Sequence, residues 1–200
     1  MKKYLPIVLM LIMAAGIFAG CSSEGNGNSG VDVDLKCVES SATALVGSFA
    51  NNSGKDVNAK VTVVWYDEDN NQIGESVSEI PYLMQDDVVF DIFDLGEPYD
   101  HYDYMVETGE PSDKAIAFYE NLTVEGDMDA DGSISYKVGG GNGETYETDV
   151  VLEYLDEEDN VIDYNLKTIK ASGIATGSFP ATKASGCVGY RMNLIPKDMM

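Results

Sequence analysis

The sequence predicts an all-β fold: two tandem β-sandwich repeats behind an apolar leader and a polar tether. Three features predict it. Apolar and polar residues alternate along the segments between turns, the period of half-buried strands. Clusters of Gly, Asn, Asp and Ser punctuate the chain about every 8–12 residues, which suits the short strands of a sandwich. The chain also matches itself at a constant offset of 89 positions, and such self-similarity marks a structural repeat.

The leader comes first. Lys2 and Lys3 precede the apolar run "YLPIVLMLIMAAGIFAG", the charged and hydrophobic regions of a secretory signal peptide. The run is short for a membrane-spanning helix and contains Pro6. It ends in Phe18-Ala19-Gly20-Cys21, which resembles the bacterial lipobox. That resemblance implies cleavage before Cys21 and acylation of its sulfur and new amine. Each buried methylene contributes about 0.8 kcal/mol, and stable anchoring takes more than one chain. The expected partner is a membrane, with the body held at its extracytoplasmic face. Residues 1–20 are thus the expected signal peptide. Residues 21–30, "CSSEGNGNSG", are too polar to fold and form a flexible tether.

Charge excludes one class of partner. The chain carries a formal charge of −23. Residues 1–20 hold two lysines and no acid, so the rest has ten basic and 35 acidic side chains, a charge of −25. Nucleic-acid binding needs a basic surface that displaces counterions, and this surface is acidic.

The two repeats follow. Val61, Val63 and Trp65 align with Val150, Leu152 and Tyr154, and Asp67-Glu68-Asp69 with Asp156-Glu157-Glu158. Asn71 and Ile73 meet Asn160 and Ile162; Leu45 and Phe49 meet Ile134 and Val138. Carried outward without gaps, the offset pairs Val33 and Leu35 with Leu122 and Val124, Ile80 with Ile169, and Phe90 with Phe179. In each copy the alternating strand runs into an acidic, Asn-rich hairpin turn, where Asp and Asn bond their own backbone. "ANNSGKD" and "GGGNGET" read as the turns before those strands. "PSDKAIAFYEN" (111–121) reads as one helical turn capped by Ser112 or as a plain link. The expected repeats span 31–108 and 118–197.

The first copy, "VGSFANNSGKDVNAKVTVVWYDEDNNQIGESVSEIPYLMQDDVVFDI", resembles the FxLYD family of immunoglobulin-like domains in bacterial envelope lipoproteins. Gly47, Asn51, Ser53-Gly54-Lys55, Tyr66-Asp67, Ile73, Leu83 and Phe90 occupy the places of the family pattern over about 50 residues. In the second copy Leu155 stands for the Tyr of Tyr-Asp and Gly140 for the Asn. The resemblance implies an immunoglobulin-like sandwich; it brings no catalytic or ligand residue.

"DMDADGSI" (127–134) invites a metal reading. Asp127, Asp129, Asp131 and Gly132 fit positions 1, 3, 5 and 6 of a calcium loop, but Val138 stands where the bidentate Glu belongs. The counterpart "VESSATAL" (38–45) joins the same strands with a single acid. The expectation is therefore a turn first and a weak calcium site second, calcium being the one cofactor the sequence suggests.

Cys37 and Cys187 remain. Outside the cytosol they are a candidate disulfide, whose long loop would contribute on the order of 5 kcal/mol; otherwise they are two buried thiols. "EPYDHYDYMVE" (97–107) is either an aromatic contact surface or, with Tyr102, Tyr104 and Val106 on one face, an ordinary late strand. His101 has no nucleophile beside it in any recognisable motif. Asp86-Asp87 and Glu157-Glu158 imitate a glycosidase pair but read as solvated charge. The expectation is a non-catalytic binding or assembly module at the cell envelope, with a calcium-stabilised spacer as the alternative.

Overall fold

Val, Ile, Thr and Tyr crowd the segments between turns, and such residues suit a pleated, half-buried surface. In the computed structural model these segments are strands. Residues 30–38, 40–140 and 145–197 are described. The expected leader, the expected lipidation site Cys21, most of the expected tether and positions 141–144 of the second copy's turn lie outside the described residues. The strands are β1 (Val31–Cys37), β2 (Ala44–Asn51), β3 (Val57–Tyr66), β4 (Gln72–Leu83), β5 (Val88–Asp94) and β6 (His101–Gly109). After helix α1 (Asp113–Tyr119) come β7 (Thr123–Met128), β8 (Ile134–Gly139), β9 (Thr145–Leu155), β10 (Val161–Ser172), β11 (Ala175–Phe179) and β12 (Gly189–Pro196).

Four three-stranded antiparallel sheets form, in the orders β1-β2-β5, β4-β3-β6, β7-β8-β11 and β10-β9-β12. The last six strands pair in the same order as the first six. In each half the chain crosses between sheets after its second, fourth and fifth strands, so the sheets face each other as an immunoglobulin-like sandwich. One core gathers Leu45, Phe49, Val61, Val63, Trp65, Ile80 and Phe93. The other gathers Ile134, Tyr136, Val138, Val150, Leu152, Tyr154 and Phe179.

The register corrects three of the outward repeat pairings. Phe49 pairs with Val33 and Val138 with Val124, so Val124 answers Val33 and Leu122 precedes the strand. Leu45 pairs with Phe93 and Ile134 with Phe179, so Phe179 answers Phe93, and Phe90 turns outward. The cause at β5 is turn length together with a register shift between Val57 and Ala59 that the second half lacks. Residues 84–87 separate β4 from β5, whereas only 173–174 separate β10 from β11, and surface turns absorb such changes without disturbing the strands.

Ser112 caps α1, its Oγ accepting from the Ala115 amide at 3.1 Å. Ala115 is buried against Tyr82, and Phe118 meets the Tyr146 ring edge-on at 5.6 Å. The helix thus seals the seam between the halves.

Asn51 pins the top of the first sandwich. It is fully buried. Its Nδ2 donates to the carbonyls of Lys55 and Leu83 at 2.8 and 2.9 Å, and its Oδ1 accepts from the amide and hydroxyl of Ser53 at 3.0 and 2.7 Å. Its backbone N–H donates to Asp87 and its carbonyl accepts from Asp86, each at 3.0 Å. Every side-chain hydrogen-bonding position is used, so Asn51→Ala should strand the Leu83 carbonyl and the Ser53 amide, while the Lys55 carbonyl keeps the Ser53 hydroxyl at 2.9 Å. We expect a loss of about 2–3 kcal/mol in chemical denaturation, the range for unsatisfied buried groups; a change within about 0.5 kcal/mol would contradict this role.

Candidate binding surfaces at the joint and on the free sheet face

The acidic turns are held by their own carboxylates. Asp67 Oδ1 accepts from the amides of Asp69 and Asn71 at 3.0 and 2.8 Å, and Asp156 Oδ1 accepts from Glu158 and Asn160 at 2.9 and 2.8 Å. Asn70 and Asp159 both take φ 62°, the left-handed conformation these residue types tolerate. The hydrogen bonds from Asn71 and Asn160 hold both aspartates below the usual carboxylate range.

The 127–134 segment is built the same way. Asp129 N–H donates to the Ser133 carbonyl at 2.8 Å, and Gly132 takes φ 83°. Asp131 Oδ1 accepts from the Ser133 amide and hydroxyl at 3.0 and 2.6 Å, which lowers its pKa. Asp129 Oδ2 accepts from the Ser135 hydroxyl at 2.6 Å. Asp127 stands apart on β7, paired with Ser135 in the ladder. The carboxylates of Asp129 and Asp131 are thus taken by serine donors. Among the described residues, no group of three or more His, Cys, Asp or Glu is placed to hold a metal ion.

Cys37 and Cys187 are not bridged. Cys37 Sγ lies 3.6 Å from the Tyr99 hydroxyl beside the first core, whereas Cys187 packs against the second core and donates to the Gly189 carbonyl at 3.5 Å. Each thiol belongs to its own half. The segment 97–107 divides between two faces. Tyr102, Tyr104 and Val106 pack on the first core, and the Trp65 and Tyr99 rings meet at a tilt, with centres 4.5 Å apart. His101 turns the other way and lies flat on Tyr66, with ring centres 5.0 Å apart. Asp86 and Asp87 sit in the β4–β5 turn, and Glu157 and Glu158 in the β9–β10 turn of the other half. The two acid pairs stay apart.

What sequence reasoning missed is the joint. The outer face of β10-β9-β12 packs on the outer face of β1-β2-β5. Phe90, Ile92, Val151 and Ile195 form one contact cluster; Val38, Ala44, Val46, Val161 and Tyr164 form another with Ile92. Strand β9 is therefore buried on both faces, from Tyr154 inward to Glu153 outward. The signal was present in "VVLEYL" (150–155), where Val151 and Leu155 add apolar residues on the off-phase face; strands covered on both sides read as near-continuous runs.

Two carboxylates in this dry layer, Glu153 and Asp149, have basic partners. Glu153 is fully buried, and its Oε2 accepts from Arg191 Nε at 2.7 Å and NH2 at 2.5 Å. Burial raises the Glu153 pKa while Arg191 opposes the rise. The guanidinium also lies 5.4 Å from the centre of the Phe90 ring. Tyr164 donates to Asp94 at 2.7 Å, and Asp149 pairs with Lys197. Asp91, buried beside Ser78 and this last pair, has its carboxyl pushed up to about 6 by desolvation.

The opposite end of the stack leaves one such face open. On the outside of β4-β3-β6, register rows read Glu79–Lys60–Glu107, Val77–Thr62–Met105, Glu75–Val64–Asp103 and Gln72–Tyr66–His101. Val77 and Met105 are 46% and 51% exposed.

Three outcomes are expected. Arg191→Met leaves a buried carboxylate alone and should cost about 3 kcal/mol, while Glu153→Leu/Arg191→Met should recover most of it. A double variant as unstable as the single one would contradict the pairing. Asp91 titrates near 6 when folded and near 3.8 otherwise. The folded chain therefore holds more protons in that window, and this group's contribution to stability falls as pH rises through it. Asp91→Asn should be more stable than wild type at pH 7 by up to about 3 kcal/mol, with the advantage vanishing near pH 4; an advantage independent of pH would contradict the assignment. Finally, thermal unfolding in chelator and in millimolar calcium should coincide, and Asp131→Ala should lower the midpoint equally in both. A calcium-dependent upward shift would overturn the turn reading.

No family model matches the chain, and no curated protein matches it. Among solved structures, the chain is similar to red sea bream transglutaminase at 10% identity and a TM-score of 0.29, covering 84% of this chain and 29% of that one. It thus spans under a third of the transglutaminase. It is also similar to native alpha-2-macroglobulin from Escherichia coli, domains NIE-MG1, at 10% identity and a TM-score of 0.21, covering 83% of this chain and 98% of that one.

Proposed function

We propose that the protein is a lipid-anchored lipoprotein of the extracytoplasmic face, with FxLYD-type sandwiches acting as a non-catalytic binding or assembly module of the cell envelope. The leader and Phe18-Ala19-Gly20-Cys21 support the anchor. The single observation that carries the binding role is the open face of β4-β3-β6, where half-exposed Val77 and Met105 flank Thr62 in one row. Apolar side chains grouped on one sheet face mark a contact surface more than a solvated one. The charged groups support a non-catalytic body: the turn acids bond their own backbones, and Glu153 and Asp149 are paired with Arg191 and Lys197 at the joint.

The anchor is tested by expressing the full chain in a bacterial host with labelled palmitate. Label should enter the wild type, which partitions into detergent, and should be absent from Cys21→Ala, which stays in the aqueous phase. Labelling of Cys21→Ala, or none of the wild type, would overturn the assignment.

A further inference from the structure

The repeat compares one sheet face in two settings. In the second half, the row Leu166–Val151–Asn193 and the row Tyr164–Glu153–Arg191 lie on the outside of β10-β9-β12, and their middle strand is buried under the first half. In the first half, among the described residues, no sheet covers the corresponding rows, Val77–Thr62–Met105 and Glu75–Val64–Asp103, and Val77 and Met105 stay half exposed on either side of a buried Thr62. Strand β3 nevertheless reads Val61-Thr62-Val63-Val64-Trp65, a near-continuous apolar run broken only by Thr62, as in strands covered on both sides. The far end of the stack is different. The outer face of β7-β8-β11 presents Glu125, Ser135, Lys137, Thr176 and Ser178, with Lys137 and Glu125 3.5 Å apart. That is the polar outer face of a capping unit.

The stack is therefore closed at one end and open at the other. We propose that the outer face of β4-β3-β6 docks the sheet face of a different protein, one with an apolar centre rimmed by lysine or arginine. The proposal rests on the binding-module reading and names its surface and partner. Charge selects the partner. Glu75, Glu79, Asp103 and Glu107 surround the apolar rows, with Lys60 the cation among them. A second copy offers either this same acidic face, whose charges would oppose one another, or the polar cap, which has no apolar centre to match. A basic rim complements the four acids and would speed encounter as well as fix the partner's identity.

The test places a photoreactive benzophenone amino acid at position 105, or at position 178 on the polar cap, in the full lipidated chain in its own cells. An adduct should form at 105 and not at 178. The captured protein, once identified and purified, should bind the wild type and lose affinity about tenfold or more with Met105→Asp, with the exposed-site variant Glu75→Lys, and at about 0.5 M salt. Circular dichroism of both variants should match wild type. An adduct at 105 that proves to be a second copy, or binding insensitive to both variants, would overturn the proposal. Adducts at 178 alone would overturn this face but leave the binding reading standing; adducts at neither position would overturn both.

Discussion

Strand β9 is buried on both faces, and the order of the molecule follows from that constraint. Tyr146, Val150, Leu152 and Tyr154 fill one core, while Val151 and Leu155 on the reverse face are also buried. A strand with two dry faces needs a sheet on each side. The second sandwich supplies one, and the outward Phe90, Ile92, Val46 and Ala44 of the first supply the other. The chain is thus four sheets in sequence, with an interface between halves that resembles a third core. Interfaces within a chain are usually more polar and permit relative motion; here Glu153 and Asp149 enter the layer only with Arg191 and Lys197 beside them.

This arrangement explains how so acidic a chain folds. Beside the exposed acids on strand faces, such as Glu75 and Glu107, two physical classes of carboxylate stand out. Those in hairpin turns accept hydrogen bonds from nearby backbone and stay ionised at little cost, as Asp67, Asp131 and Asp156 do. The buried ones are desolvated, and burial raises both Glu153, in the joint, and Asp91, which faces inward on β5 beside Ser78, toward the neutral form. The first class sets turns; the second makes the joint depend on partners, since a buried charge that loses its counterpart is far more costly than the pair is beneficial.

Much of the fold was legible in the sequence because it is written in local rules. Period-two alternation placed Val61, Val63 and Trp65 inward, and the Ser112 cap marked the start of α1. The acidic turn 127–134 was legible as a turn because its counterpart needs no metal. The slipped pairings at β1 and β5 were not legible, since an ungapped offset cannot register shortened turns, here 129–133 against 38–43 and 173–174 against 84–87. The joint was hidden for a deeper reason. Whether an off-phase Val151 meets solvent or another sheet depends on an encounter between distant segments, and period alone does not encode it. The same ambiguity now makes Val64 and Met105 informative, because the second half shows what such a face does when covered.

Calorimetry of the soluble chain beginning at Ser22 tests the central claim most directly. If the joint is a third core, both halves unfold in one transition whose calorimetric and van't Hoff enthalpies agree, the signature of two-state behaviour. Two separable transitions, with one half melting while the other keeps its structure, would contradict a shared layer.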